Sequence, residues 1–228
     1  MKTIGLVGGM SWVSTLDYYR LINEEMQRRL GGLHSARMIL NSLDFMPLAQ
    51  AQKAGKWEEV ADILIEAAMT LEAAGAQLLL IGTNTMHRVA GPVQARVHIP
   101  LIHIADAVGE AIHNAGLQRV GLLGTRATME QDFYAKRLEE KGLMVLTPPA
   151  TERQHLDRLI FEELCCGVAT DAARKLVLSL IRELQQQGAQ GVVLGCTELG
   201  SVASQQLSPV PLFDSTRIHI LKAVDLAL

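Results

Sequence analysis

Short apolar runs alternate with longer amphipathic stretches along the whole of this chain. Thr3–Val7, Arg37–Leu43, the run ending at Ile81, Pro100–Ile104, Val120–Leu123, Met144–Leu146, Val192–Leu194 and Pro211–Phe213 have the length of strands. The central runs are apolar without a break, as in parallel strands covered on both faces. The stretches between them read as helices. Trp57–Ala74 is the clearest, with Val60, Ile63, Leu64, Ala67, Ala68 and Leu71 on one side and Gly75 as its stop. Further helices are expected from Ser14 to Leu30, through Val93, and over Ala105–Ala115, Met129–Lys141, Asp157–Leu164, Asp171–Gln187 and Ser215–Leu228. Asp44 to Lys56, with Pro47, reads as a loop, and so does Thr147–Thr151.

The pattern is written twice. GAQLLLIGTNTMH from Gly75 repeats as GAQGVVLGCTELG from Gly188, an offset of 113 that carries Leu80 to Val193, Gly82 to Gly195 and Thr83 to Cys196. IGLVGGMS from Ile4 repeats as VGLLGTRA from Val120 at an offset of 116, and IPLIHIAD from Ile99 as VPLFDSTR from Val210 at 111. Three matches in one order imply an α/β protein of two pseudo-twofold-related lobes, each a mostly parallel sheet flanked by helices. The expected division is residues 1–104 with 212–228 for the first lobe, the tail helix packing back on it, and 105–211 for the second.

Composition narrows the function classes. A chain of 228 residues with 49% hydrophobic content can bury two cores. Aromatic content of 4% without clustered basic residues argues against a nucleic-acid surface. The net charge of −3 is ordinary for a soluble protein, no apolar run reaches the ~20 residues of a membrane span, and cytoplasm is the default location. Glycines interrupt the apolar N-terminus, so it does not read as a signal peptide. Three cysteines, two of them adjacent, make no disulfide framework, and His103, His155 and His219 lack metal-ligand spacing with them, so no metal is expected.

The chemistry falls at strand ends. Cys196-Thr197-Glu198 follows a central strand at its carboxyl end, where open α/β sheets bind ligands, and Thr83-Asn84-Thr85 occupies the equivalent place in the other half. The turns Gly8-Gly9-Met10-Ser11 and Gly124-Thr125-Arg126-Ala127-Thr128 also offer backbone N–H groups to an anion. A dinucleotide is disfavoured: GLVGGM is not GxGxxG, and no acidic residue stands ~20 positions on to hold a ribose.

The segments GLVGGMSWVST, GTNTMH, GTRATM, GCTELG and FDST, in that order, resemble the pyridoxal-independent aspartate/glutamate racemase family over the whole chain. The resemblance implies a cofactor-independent amino-acid racemase, a homodimer, with its site in a cleft between the lobes. One acid/base residue from each lobe would address opposite faces of the α-carbon. The family's first cysteine is replaced here by Thr83, which leaves Cys196 and Thr83 as the catalytic pair. Aspartate-specific members carry an Arg after strand two and a Lys before the glycine near position 167. Here those places read Asp44-Phe45-Met46 and Cys165-Cys166-Gly167, so aspartate/glutamate stands first and a broader amino-acid range stays open.

Residue roles follow from what inversion needs. A thiol, of pKa ~8.5, lowered by a helix N-terminus or donor-rich turn, suits a base near neutral pH, so Cys196 is expected to act as thiolate on the L enantiomer. Thr83 can hand over or relay a proton but takes one poorly. Met10, Asn84, Thr85, Thr125, Thr128 and Thr197 are candidates to bind substrate, and Gln52 to bind its side chain. Glu198 either tunes the thiol, binds the substrate ammonium, or is a solvated carboxylate. His87 either orients a substrate group or caps a short helix. Cys165 and Cys166 read as packing, with lining of the cleft as the alternative. Two alternatives share this scaffold: a single-cysteine decarboxylase of malonate-type acids, and a two-lobed amino-acid-binding protein without catalysis.

Overall fold

The computed structural model describes residues 1–228 and divides them into two units, Met1–His103 with His219–Leu228, and Ile104–Ile218. The first unit holds β1 (Ile4–Gly8), α1 (Trp12–Leu30), β2 (Met38–Ser42), α2 (Phe45–Lys53), α3 (Trp57–Ala73), β3 (Leu78–Ile81) and a short α4 (Ala90–Gln94). The second holds α5 (Ile104–Asn114), β4 (Arg119–Gly124), α6 (Arg126–Glu130), α7 (Asp132–Glu139), β5 (Met144–Leu146), α8 (Ala150–Glu162), α9 (Asp171–Gln186), β6 (Gly191–Gly195) and β7 (Leu212–Asp214). The last helix, α10 (Ser215–Ala227), passes from the second unit to the first after Ile218.

Both sheets are wholly parallel, ordered β2-β1-β3 and β5-β4-β6-β7. In each, the leading strand lies between the two that follow it, as the duplication implies. The correspondence reaches single pairs. Leu79 bridges Leu101 in the first sheet and Val192 pairs with Leu212 in the second, positions related by the offsets 113 and 111.

Strand residues of the first unit alternate between two cores, as a period of two requires. Val7, Leu79 and Ile81 pack with Val60, Leu64 and Leu71 of α3, while Ile4, Leu6, Leu78 and Leu80 pack with Tyr18, Ile22 and Met26 of α1 and with Ile220 and Val224 of α10. The tail packs with the first unit only from His219 onward; residues 212–218, expected there, belong to the second. In the second, Leu123, Val192 and Leu194 meet α8 and α9, and Val120, Leu122 and Val193 meet α5 and α7. The α9 face, Ala173, Val177, Leu180, Ile181 and Leu184, keeps helical spacing.

Four expectations are corrected. The loop after β2 contains α2: Asp44 caps it by accepting from Met46 N, and Pro47 sits in the first turn, where its missing N–H has no intrahelical partner to lose. Pro100–Ile104 is not a strand but a single bridge, and Ile104 already begins α5. Met129–Lys141 is broken by Gln131, which is extended, into the end of α6 and α7. Ala150 and Thr151, expected in a loop, already belong to α8, which begins well before the expected start at Asp157.

The turn after β1 depends on one glycine. Gly9 has φ +88°, its N–H donates to Thr15 Oγ1 at 2.7 Å, and a Cβ there would lie 2.1 Å from the Leu43 carbonyl oxygen. Gly55 also has positive φ (+73°) but open space around it. Gly9→Ala is expected to cost well over the ~1 kcal/mol of an ordinary left-handed alanine, because backbone must move, while Gly55→Ala costs only about that. Urea unfolding midpoints of the two variants check this; equal shifts would contradict the steric argument.

Candidate active site

The five residues of β6 are buried, and the chain leaves them at Cys196 with an extended backbone before turning into the short 3-10 segment Thr197–Ser201. That sharp turn folds the Glu198 side chain back. The Cys196 Sγ–H donates to Glu198 Oε2 at 3.1 Å, and the Thr197 hydroxyl donates to the same oxygen at 2.5 Å. A third donor comes from another element: Cys165, in the 3-10 turn Leu164–Cys166 after α8, directs its Sγ–H at Glu198 Oε1, 3.7 Å away. Cys196 and Glu198 are 7% and 8% exposed, so this carboxylate is buried, with two thiols and a hydroxyl directed at it.

The electrostatics follow. Burial pushes the Cys196 thiol well above its ordinary value, and the negative charge of Glu198 and the neighbouring Cys165 push it further. Cys165 is raised by the same two leading causes, burial and Glu198. The expectation of a thiol lowered by its turn is thus reversed: its surroundings raise it. Of the three roles open to Glu198 in the sequence, the solvated carboxylate is excluded.

Thr125 and Thr128 are brought beside this turn. Gly124 pairs with Gly195, which sets Thr125 next in line to Cys196, and a Cβ on Gly195 would meet Thr128 Cγ2 at 3.1 Å. Thr125 caps α6 by accepting from Thr128 N, and the two hydroxyls lie 3.1 Å apart.

In the first unit Gly82 N donates to Val7 O, so the turn carrying Thr83 leaves β3 beside the turn that follows β1. Asn84, Thr85 and His87 are buried and Thr83 is half-buried. His87 neither ends a helix nor faces solvent: its Nδ1 lies 2.8 Å from the Thr83 carbonyl oxygen. Behind it stand His103 and His219, with ring centroids 4.6 and 5.6 Å from that of His87. His219 Nε2 lies 2.7 Å from Ile102 O, which can only accept, so Nε2 carries the proton and Nδ1 accepts from the Tyr18 hydroxyl at 2.8 Å. Burial, then the neighbouring His87, lowers the His219 pKa to about 3. The three imidazoles do not form a metal-ligand set.

Met10 is buried and belongs to the core cluster that also holds Leu48 and Ala51. Gln52 belongs to α2 rather than to a loop, and its amide makes no hydrogen bond to the Thr83 turn. The contact of Cys165 with Glu198 and the hydrogen bonds joining Tyr18, His219 and Ile102 escaped the sequence reading. So did Ser11, which caps α1 by accepting from Ser14 N. Only that cap had a local signal, a serine three positions before Ser14.

A family model described as Asp/Glu/Hydantoin racemase matches residues 7–223. Among solved structures, a candidate Asp/Glu racemase from Yersinia pestis is 47% identical, covers 100% of this chain and 99% of its own, and superposes with a TM-score of 0.92. An aspartate racemase homologue from Pyrococcus horikoshii OT3 is 40% identical over 100% of this chain and 99% of its own, with a TM-score of 0.85. A broad specificity amino-acid racemase from Bacillus subtilis is 22% identical over 218 residues, 93% of this chain and 92% of that protein.

Proposed function

The chain belongs to the Asp/Glu/hydantoin racemase family and is an isomerase, a racemase, and from this we propose that it inverts aspartate or glutamate without pyridoxal phosphate, using Cys196 and Thr83 on opposite faces of the α-carbon. A cytoplasmic homodimer goes with this reading on the family resemblance. The observation that carries it is the single strand-end thiol hydrogen-bonded to a buried carboxylate, Cys196 Sγ to Glu198 Oε2 at 3.1 Å.

That pair gives the raised thiol a way to react. The S–H proton passes to Glu198 Oε2, and the resulting thiolate takes the α-proton of the L enantiomer. The carbon's electron pair spreads into the substrate carboxylate, which the N–H and hydroxyl donors of the strand-end turns bind. The Thr83 hydroxyl gives a proton to the other face and recovers one from water, and Glu198 returns its proton to the solvent. The D enantiomer runs through the same steps in reverse.

Substrate range is the finer part of the proposal. The Pyrococcus homologue favours aspartate, whereas the broad-specificity Bacillus relative and the lack of a basic residue at Asp44-Phe45-Met46 or Cys165-Cys166-Gly167 favour a wider set. The test is a panel of L- and D-amino acids in deuterated water, read by NMR for α-deuterium and by chiral chromatography for inversion. Inversion with one solvent deuteron, fastest for aspartate or glutamate, is expected. The two enantiomers have equal free energy, so their kcat/KM values must agree. Deuterium entering without inversion would remove Thr83 from the mechanism.

A further inference from the structure

We propose that His87 is a positioning residue for Thr83, its Nδ1–H fixing the carbonyl, and thereby the hydroxyl, of the residue that serves the second face. This rests on the role given to Thr83 above. The Thr83 carbonyl stands at the mouth of a 3-10 segment, Thr85–Val89, whose own first bond runs one residue later, from His87 N to Asn84 O at 3.1 Å. Its partner is instead the imidazole at 2.8 Å. A carbonyl can only accept, so Nδ1 carries the proton. One side chain thus takes the place of a backbone hydrogen bond at the residue whose orientation matters.

The surroundings hold that ring still. His87 is 2% exposed and lies edge-on to both His103 and His219. His219 is pinned at both nitrogens, to Ile102 O and to the Tyr18 hydroxyl. The turn is thereby tied to the ring cluster that joins α1 and α10, elements far from it in sequence. Burying three imidazoles is costly compared with an apolar core of the same volume. Their arrangement gives a rigid turn, and the backbone of that turn sets where the half-buried Thr83 side chain stands. A displacement of ~1 Å at such a group can cost about a hundredfold in rate.

The test uses two variants of the full chain. His87→Phe keeps a ring and loses the donor. His87→Asn loses the ring but keeps an N–H close to the position of Nδ1. With both shown to be folded by thermal melts, His87→Phe is expected to lower kcat for inversion at least ~10-fold with KM within a factor of ~3, and His87→Asn to recover most of that loss. A packing role predicts the opposite order, with the asparagine variant the poorer enzyme, and that order overturns the proposal. Thr83→Ala, measured alongside, separates the two claims. If it leaves inversion intact the role of Thr83 fails; if it lowers inversion and His87→Phe does not, only the role of His87 fails. Should His87→Phe not fold, the ¹⁵N spectrum of the wild-type histidines decides, since an Nε2–H tautomer with bare Nδ1 at His87 overturns the proposal and an Nδ1–H tautomer supports it.

Discussion

Cys196→Ala is expected to lower inversion at least about a thousandfold, the upper part of the range for losing a positioned acid/base group. The loss should fall on kcat, since a thiol that only exchanges protons with the α-carbon contributes little to ground-state binding. Its partner variant makes the argument sharper. In Glu198→Gln the negative charge beside the thiol is gone, so Cys196 must ionise at lower pH, although burial, the larger cause of its raised pKa, remains. If Glu198 merely held the thiol protonated, losing it would make more thiolate and a faster enzyme. If Glu198 is where the thiol proton goes, activity falls by about a hundredfold although the thiolate has become easier to form. Ultraviolet absorbance of the thiolate against pH, set beside kcat against pH, reads both quantities. A titration moving to lower pH with rising kcat would sink the proton-acceptor role.

The sequence carried what repetition and local pattern can carry. Two copies of a strand-and-turn segment led to the two sheets, and the matching pairs Leu79–Leu101 and Val192–Leu212 bear the offsets out at single residues. Cys196 was legible at a strand end because Val192–Leu194 and Gly195 are a local signal. The state of its thiol was not. Glu198 is two residues away, but whether its carboxylate turns back onto the sulfur depends on the 3-10 turn, and the Cys165 contact joins residues 33 apart. The α2 helix was hidden by Pro47, a breaker in most positions and harmless in a first turn. His219 lies 117 residues from its partner Ile102 and 201 from Tyr18, and no periodicity connects them. Such polar pairs are fixed by tertiary packing alone, which is why the buried histidines read only as residues without metal spacing.

That same histidine cluster sets the second large effect, on stability in mild acid. The His219 pKa falls from 6.5 to about 3 on folding, because the ring is fully buried and lies beside His87; the hydrogen bond to the Ile102 carbonyl only partly opposes this. The unfolded chain therefore binds the extra proton first, and stability must fall as pH drops below 6.5, the loss being complete near the folded value. By about pH 4.5 the loss is about 3 kcal/mol, a large share of a typical domain's stability. Protonation would also put a hydrogen on Nδ1, where Tyr18 now donates, and a charge next to His87. The window identifies the residue. Glu25, lowered to about 2 by its hydrogen bond to Arg28 and by Arg29, contributes stability that is present above 4.5 and is lost only below it. A decline that begins above pH 5.5 therefore points to an imidazole rather than to this carboxylate. Urea unfolding of wild type and His219→Gln between about pH 7 and 4.5 measures it. The variant should be less stable at neutral pH, where it loses a well-fitted ring, and its stability should change much less on acidification. Parallel curves for the two proteins would mean that the acid-sensitive group lies elsewhere, and that burial does not keep His219 neutral.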